Sequence, residues 1–251
     1  MTNISKKTSG RSGGRAQRLI KRAAKPVINP CPPGQFGGMY KPLSQTDLEN
    51  IFDTALRLLS ELGMGEVPNR LRQDLLTAGA QDGEAGRVFF PRSLTEDAIA
   101  KAAKKFVLHG RDETRSIEVG GNKVYFGTGG AAVQTLDLDS GTYRPSTLSD
   151  LHNFTRLQDT LANVGWYTRC CVATDVPDNF DLDVNTAYAL LLNTTKPTAT
   201  SFSLAEYVAP IVKMLDIAAG GKGEFSKRPF MKAHISPVIS PMRYGEDAVD
   251  V

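Results

Sequence analysis

The chain has 251 residues, of which 41% are hydrophobic and 23% are charged. This composition is typical of a soluble globular protein that is long enough to bury a core. No segment approaches the roughly 20 consecutive apolar residues of a membrane-spanning helix, so we expect no membrane partner. Three cysteines exclude a disulfide-built scaffold in a chain of this length, and we therefore expect a cytoplasmic protein.

The net charge of +3 conceals an uneven distribution of basic residues. Nine of the 30 basic residues precede Asp47, and none of the 27 acidic residues does. The rest of the chain therefore has 21 basic and 27 acidic residues and is acidic overall. Because a nucleic-acid-binding domain carries its basic residues on the folded part, we do not expect a nucleic-acid partner.

Residues 1–42 are rich in Ser, Gly, Lys and Arg and then in Pro. Their apolar content is too low to offset the loss of chain entropy, so we expect a disordered basic tail. Residues 15–24 could form one or two helical turns with Leu19, Ile20 and Ala23 on one side. A targeting peptide, an arm for nucleic acid or a membrane surface, and an acidic partner remain alternatives to a solvated tail.

Residues 43–120 are predicted to form a small α+β region that begins with an amphipathic helix. Ser44 or Thr46 can cap the start of this helix, and Gly63 suits a left-handed cap at its end. The apolar residues of the helix recur at steps of three and four, as expected for one buried face: Leu48, Ile51, Phe52, Ala55, Leu58, Leu59 and Leu62.

A second helix and three short strands are predicted in the remainder of this region. Ser93 and Glu96 have the spacing of a capping box, which predicts a helix over residues 94–104. Short apolar runs predict strands at residues 87–90, 106–109 and 115–119.

From residue 121 onward, strand patterns alternate with helix patterns. Pro210 falls inside the third helix and should kink it or make it start late. Asp139-Ser140-Gly141 is predicted to turn a hairpin between residues 133–138 and 142–144. The main strands are predicted at 124–126, 164–172, 198–202 and 230–235, and the helices between them at 147–161, 180–192 and 204–219.

This alternation predicts four βα units on a parallel sheet, which is either open and doubly wound or closed as a barrel. Closure requires eight such units, and the chain stops at Val251, a few residues into the fourth helix. We therefore expect residues 121–251 to be the truncated first half of a (β/α)8 barrel of the TIM type. Half a barrel has unpaired sheet edges, so we expect this piece alone to be inactive.

The glycine-rich segment Phe126-Gly-Thr-Gly-Gly130 follows the first of these strands. It matches neither the dinucleotide-binding fingerprint nor the P-loop. We therefore expect a strand end where the backbone bends, rather than a loop that binds phosphate. The segment would still lie at the carboxyl end of a strand, where barrel enzymes have their active sites.

The histidines and cysteines predict no metal site. No two of the three histidines have the short sequence spacing of a metal-binding motif. They are His109, His152 and His234. Only His234, at the end of the fourth strand, is placed for chemistry, and a structural role for it is equally open. Cys170 and Cys171 are adjacent, so within a strand their side chains would point to opposite faces, and we expect them to pack.

Aromatic residues on or beside the strands are expected mainly in the core. Any of them that lines the barrel mouth could bind a quaternary ammonium group through cation–π attraction. The candidates are Tyr125, Phe126, Trp166, Tyr167 and Phe202.

The most specific segment is His234-Ile-Ser-Pro-Val-Ile-Ser-Pro-Met-Arg-Tyr-Gly-Glu-Asp247. A strand ends in one Ser-Pro pair, a second Ser-Pro pair follows, and the chain then enters a helix. The two prolines fix the turn, while the hydroxyls of Ser236 and Ser240 can cap the helix or donate to a ligand.

Four segments together resemble the trimethylamine methyltransferase family: Lys105–Arg111, Phe126–Gly130, Tyr143–Asp150 and His234–Asp247. The resemblance extends from about Lys41 to Val251. It implies a β/α barrel enzyme that moves a methyl group from a tertiary or quaternary amine, such as trimethylamine or glycine betaine, to a corrinoid. The corrinoid (cobalamin) is carried by a separate small protein, and this chain would bind no cofactor itself.

The founding branch of that family carries pyrrolysine in the C-terminal half, beyond the end of this chain. The branch is therefore left open, with a preference for the larger branch that is similar to glycine betaine methyltransferases. We also expect the full-length protein to be a homo-oligomer.

No catalytic residue is assigned by the resemblance. The strand-end residues that we expect to line the barrel mouth and bind substrate are Thr128, Gly129, Ser201, His234 and Ser236. Another barrel enzyme, of the lyase or aldolase type, would instead need an essential lysine at a strand end. A non-enzymatic fragment tethered by its basic tail is the remaining alternative.

Overall fold

A computed structural model describes residues 14–23 and 28–251, without the side chains of Arg18, Lys21 and Arg22. The chain divides between Pro32 and Pro33 into two compact units. In the first unit Arg15–Ala23 forms a helix, α1, where helical turns were expected. The expectation of disorder for residues 1–13 and 24–27 lies outside the described residues.

The second unit contains short antiparallel pairs, one parallel sheet and its helices. Among the described residues, none of the helices combines the length and the apolar composition of a membrane-spanning segment. The helices are α2 (Gln45–Arg57, continued by the π-helical turn Leu58–Leu62), α3 (Asn69–Thr77), α4 (Arg92–Lys101), α5 (Leu148–Thr160), α6 (Asn179–Asn193), α7 (Val208–Ala219), α8 (Glu224–Lys227) and α9 (Glu246–Asp250). The strands are β1 (Gln35–Phe36), β2 (Gln81–Asp82), β3 (Val88–Phe89), β4 (Lys105–Leu108), β5 (Ile117–Gly120), β6 (Lys123–Val124), β7 (Phe126–Gly127), β8 (Gln134–Leu136), β9 (Tyr143–Pro145), β10 (Val164–Thr168), β11 (Thr198–Thr200), β12 (Met231–Ala233), β13 (Val238–Ile239) and β14 (Arg243–Tyr244).

Four strands form one parallel sheet in the order β7, β10, β11, β12, which is also their order in the sequence. In the register of this sheet, Tyr167 lies beside Thr198, and Thr200 lies beside Ala233. A doubly wound sheet reverses its strand order at one point, and these four strands do not. The protein is thus an α/β protein whose parallel strands end side by side.

One apolar core joins this sheet to α5, α6 and α7. Tyr167 of β10 and Met231 of β12 pack in it with residues of all three helices, among them Leu151, Leu190 and Ile211. Fully burying a large apolar side chain contributes roughly 1.5–3 kcal/mol. Because successive strand residues point to opposite faces, the neighbours of Tyr167 in β10 point away from the helices.

The helix predicted after Ser44 is confirmed, but the face that it buries is not. Ser44 and Asp47 form the capping box of α2, and Gly63 ends the π-helical turn at φ 67°. Leu56, outside the predicted stripe, is buried. Members of the stripe that are 43–57% exposed are Leu48, Ile51, Phe52, Leu58 and Leu62.

The capping box predicted at Ser93 and Glu96 is wrong. Pro91 occupies the N-cap position of α4, so Ser93 lies inside the helix, where Glu96 binds Arg92 instead at 2.8 Å. The helix α3 was not predicted. Strands β3, β4 and β5 lie within two residues of their predicted positions.

The hairpin and the late helix start are confirmed. Strands β8 and β9 pair antiparallel across the predicted turn. A 3-10 turn, Ala205–Tyr207, precedes α7, which puts Pro210 in the first turn of the α-helix, where no backbone N–H is needed. Gln35–Phe36, within the range expected to be a disordered tail, instead forms a strand that pairs with β6.

Candidate functional site

A cleft of about 440 Å³ lies where the four parallel strands end. Sites of parallel α/β proteins are found at this carboxyl edge, in barrels and in open sheets alike. Its lining comes from Gly130 and Ala131 after β7, Thr168 and Arg169 at the end of β10, Ser201, Phe202 and Ser203 after β11, His234, Ile235 and Ser236 after β12, and Asp247 and Ala248 of α9.

Glycines allow the loop after β7 to lie against β10. A Cβ on Gly127 would lie 2.1 Å from Cε2 of Trp166, and a Cβ on Gly130 would lie 2.6 Å from the carbonyl oxygen of Arg169. Neither position can accept a side chain without movement of its neighbour. The glycine-rich segment therefore allows the backbone after β7 to lie close to β10, as expected for a bent strand end.

Three of the five residues predicted to bind substrate line the cleft: Ser201, His234 and Ser236. The backbone N–H of His234 donates to the carbonyl of Thr200 at 2.8 Å, so this residue continues the pairing of β12 with β11. Its side chain is exposed at the rim of the cleft.

The other two predicted residues, Thr128 and Gly129, lie beside the cleft in the same loop as Gly130. The hydroxyl of Thr128 donates to the carbonyl of Thr168 at 2.6 Å and accepts from its N–H at 2.9 Å. This hydroxyl extends the pairing of β7 with β10, and its hydrogen bonds are made to the protein backbone.

Arg169 brings a positive charge into the cleft. It is half-buried, and none of the ion pairs found among residues 14–23 and 28–251 includes its guanidinium. Its charge acts at longer range on the carboxylate of Asp183. Asp247, on the α9 side of the cleft, supplies a negative charge.

Asp183 of α6 holds the loop after β11 through a hydrogen bond to Ser203. Its side chain is 1% exposed, and its carboxylate accepts a hydrogen bond from the N–H of Ser203 at 2.5 Å. Burial raises the pKa of Asp183, which the hydrogen bonds from Ser203 and the charge of Arg169 oppose. The residue thus holds one wall of the cleft in place.

Thr168, at the end of β10, has an unsatisfied hydroxyl. The residue is 4% exposed, and its Oγ1 is buried with no hydrogen-bond partner among the described residues. Leaving such a group unpaired costs about 1–3 kcal/mol. An unpaired hydroxyl beside a cleft is a position where a bound molecule or water supplies the partner.

Cys170 and Cys171 pack at the core, as predicted. β10 ends at Thr168, and Cys171 forms an isolated parallel bridge with Ala132 beyond that end. Cys170 Sγ lies 3.1 Å from the hydroxyl of Tyr167. The interaction between the two adjacent thiols lowers the pKa of Cys170 and raises the pKa of Cys171.

A lyase or aldolase would need a lysine at a strand end, but Lys196 before β11 and Lys232 within β12 both lie outside the cleft lining. Nζ of Lys196 donates to the carbonyls of Gln158 and Leu161, both at 2.8 Å, and so caps the end of α5. Nζ of Lys232 lies 5.1 Å from the ring centre of Trp166. Within the described ranges, no group of three or more His, Cys, Asp or Glu residues could hold a metal ion.

Arg169 is the main residue of the cleft that the sequence prediction missed. Residues 164–172 are predicted as one buried strand, which conceals the strand end at Thr168. Arg169 is the only charged residue in that run. A charge within an otherwise uncharged run is the signal that could have placed the end of β10 at Thr168.

Comparisons with known proteins agree with the resemblance of the four segments. Residues 11–251 match the sequence profile of the trimethylamine methyltransferase family. The chain is 25% identical over 214 residues to a glycine betaine methyltransferase of Desulfitobacterium hafniense (strain Y51), an alignment that covers 85% of this chain and 44% of the relative. It is 27% identical over 209 residues to the trimethylamine methyltransferase MttB of Desulfitobacterium hafniense (strain DSM 10664 / DCB-2), covering 83% and 42%.

A third relative is the trimethylamine methyltransferase MttB of Methanosarcina thermophila, which is 25% identical over 215 residues, or 82% of this chain and 43% of the relative. The chain thus spans less than half the length of the curated relatives it matches. Because the family profile covers nearly all of its residues, the chain belongs to the trimethylamine methyltransferase family.

Proposed function

We propose that this chain is part of an enzyme that takes a methyl group from a methylated amine and transfers it to a corrinoid on a separate protein. The observation that carries the proposal is the cleft at the carboxyl ends of four sequential parallel strands, found in a member of a family named for methyl transfer from trimethylamine. Two relatives named for trimethylamine and glycine betaine support this class of substrate.

The parallel sheet is proposed to be the first half of a (β/α)8 barrel. Its strands follow one another in space as they do in sequence, and three crossover helices share one core with it. A barrel is built by repeating this unit eight times. The cleft would then lie at the barrel mouth, where loops from every strand can reach a substrate.

A methylated ammonium group would find two kinds of partner in the cleft. The ring of Phe202 offers a face for cation–π attraction, and the carboxylate of Asp247 offers an opposite charge. The hydroxyls of Ser201 and Ser236 can accept or donate hydrogen bonds to the polar part of the substrate. These residues would hold the substrate with one methyl group turned to the open side.

The reaction makes small demands on acid–base groups of the protein. The C–N bond breaks with its electron pair left on nitrogen, and the methyl group passes to the reduced cobalt of the corrinoid, the second substrate. A quaternary ammonium leaves as a neutral amine, so no general acid is required. Residues of the cleft therefore contribute by binding and orienting the amine.

The exposed rim of the cleft leaves room for the protein that carries the corrinoid. Gly130, His234 and Ser236 are all exposed there. A homo-oligomer of the full-length protein and a cytoplasmic location are part of the same proposal. The free thiols of Cys31, Cys170 and Cys171 are compatible with a reducing compartment.

Methyl transfer tests the proposal directly. The protein that contains this chain, at its natural length, is mixed with its corrinoid protein in the reduced state and with trimethylamine or glycine betaine. Formation of methylated cobalt, followed by its absorption spectrum, should match the amount of demethylated amine. No demethylated amine from either substrate would contradict the proposal.

A pair of serine variants controls for the role of the cleft. Ser236→Ala removes a hydroxyl that lines the cleft and should reduce methyl transfer several-fold. Ser240→Ala changes the second Ser-Pro pair, whose hydroxyl lies outside the cleft lining, and should retain the wild-type rate. Equal rates for both variants would remove Ser236 from the site.

A further inference from the structure

The position of Arg169 is fixed by the backbone on both of its sides. Its N–H donates to the carbonyl of Ala199 in β11 at 3.1 Å, and its own carbonyl oxygen is the atom against which Gly130 packs. The side chain therefore starts from a rigid point between the ends of β7 and β11. Its half-buried guanidinium lines the cleft without a carboxylate within 4 Å among the described residues.

A guanidinium in this place is unfavourable for a substrate that carries only a positive charge. A methylated ammonium ion in the same cleft would be repelled by Arg169, and partial burial reduces the screening of that repulsion by water. A zwitterion avoids this cost, because its carboxylate can accept two parallel hydrogen bonds from the guanidinium. Asp247 and Phe202 remain for the ammonium end.

The neighbour of Arg169 provides a second, independent sign of a ligand. Thr168 is 96% buried and lines the same cleft, and its Oγ1 has no partner in the described chain. Buried polar atoms are rarely left unpaired in native proteins. A polar molecule bound beside Arg169 would supply what this hydroxyl lacks.

We infer that Arg169 is a specificity-determining residue that binds a substrate carboxylate, so that the cleft accepts betaines in preference to methylated amines without a carboxylate. The inference rests on the proposed function and narrows it to one class of substrate. It assigns Arg169 to the carboxylate, and Phe202 and Asp247 of the same lining to the quaternary ammonium.

The test compares ligands that differ in the carboxylate alone. Calorimetric titrations of the full chain use glycine betaine and choline, which share the trimethylammonium group, with trimethylamine as a third ligand. Wild-type protein should bind glycine betaine at least about tenfold more tightly than choline. In Arg169→Gln this preference should fall to less than about threefold, while choline binding is unchanged or improved because the repulsion is removed.

Two further variants keep the result interpretable. Arg169→Lys retains the charge but not the two-pronged geometry, and should retain part of the preference. Arg156→Gln alters an exposed arginine on α5, outside the cleft, and should leave all affinities unchanged. Thermal unfolding of each variant checks that it is folded.

The possible outcomes separate the inference from the proposed function. Equal affinity of wild-type protein for glycine betaine and choline would overturn the inference alone, and this result does not depend on any variant. An unchanged preference in folded Arg169→Gln would also overturn it. Absence of binding to all three ligands, together with absence of methyl transfer in the assay above, would overturn both.

Discussion

Gly130 shows how one position without a side chain shapes the cleft. The atom nearest to its missing Cβ is a backbone oxygen of Arg169, which cannot move aside as the end of a side chain can. Any side chain at this position would therefore push the loop away from β10 and displace Arg169.

Alanine substitutions at Gly130 and Gly129 should have different effects. Gly130→Ala should lower the free energy of unfolding by about 1–3 kcal/mol because of the close contact, and should weaken glycine betaine binding. Gly129 has no atom within 4 Å of its missing Cβ, so Gly129→Ala should stay within about 1 kcal/mol of wild type. Urea denaturation measures both, and equal losses would contradict the role given to Gly130.

The sequence predicts which residues lie at strand ends, but it does not predict the hydrogen-bond partners of their side chains. Ser201 and His234 lie near the ends of predicted strands, and Ser236 directly follows one, so their place at the carboxyl edge could be predicted from the sequence. Thr128 occupies an equivalent position, yet its hydroxyl binds the backbone of Thr168. Register between two strands decides this, and register depends on contacts between distant segments.

At the level of elements, Asp150 joins the hairpin β8–β9 to α5. Arg144 of β9 donates two hydrogen bonds to its carboxylate, at 2.7 and 2.9 Å, and the N–H of Thr147 donates a third at 2.9 Å. Asp150 thereby completes the capping box of α5. The hydrogen bonds from Arg144 hold the pKa of this carboxyl well below its usual range.

Asp150→Asn should lower the free energy of unfolding by about 2 kcal/mol at pH 7. The substitution weakens the N-cap of α5 and the ion pair with Arg144, in which Asp150 is the more buried residue. A lowered pKa stabilises the fold above the usual aspartate pKa of about 4 and ceases to do so as the pH falls. The difference between wild type and variant should therefore shrink between pH 5 and pH 2.

Urea denaturation across this pH range measures the effect of Asp150. Asp139→Asn serves as the matched control, because Asp139 lies exposed in the turn of the same hairpin. The control should remain within about 0.5 kcal/mol of wild type. A loss in Asp150→Asn that does not change with pH would contradict a stabilising carboxylate.

Several element predictions with local determinants are confirmed, although the local pattern at Ser93 and Glu96 formed no capping box. The cap at Ser44 and the turn at Gly141 are encoded by adjacent residues. β10 and β11 are shorter than predicted, because a strand ends where its neighbours cease to pair rather than where its apolar run ends. The apolar stripe of α2 is exposed for a related reason. Periodicity predicts that a helix forms, but it does not predict which part of the protein packs against it.

On the scale of the whole second unit, the C-terminal segment is held by the N-terminal α+β region. Met242 and Tyr244 pack against the cluster of Met64 and Val88. The carbonyl of Met242 accepts hydrogen bonds from the N–H of Gly65 at 2.9 Å and from Arg87 at 3.1 Å. This contact joins segments at least 155 residues apart, and no local pattern predicts it.

That contact has a consequence for the cleft. Strand β14 leads directly into α9, which carries Asp247 to the cleft wall. The α+β region thus helps to position a residue of the site although it contributes none of the lining itself. Residues of both predicted regions therefore determine the shape of the cleft.

We propose that a methylated amine binds where the four parallel strands end. Residue-resolved amide NMR of the full chain, titrated with glycine betaine, tests it most directly. The largest saturable shifts should occur at Gly130, Thr168, Ser201 and His234, while the hairpin of β4 and β5 stays unchanged. Shifts concentrated away from these strand ends, or none at saturating ligand, would contradict the account.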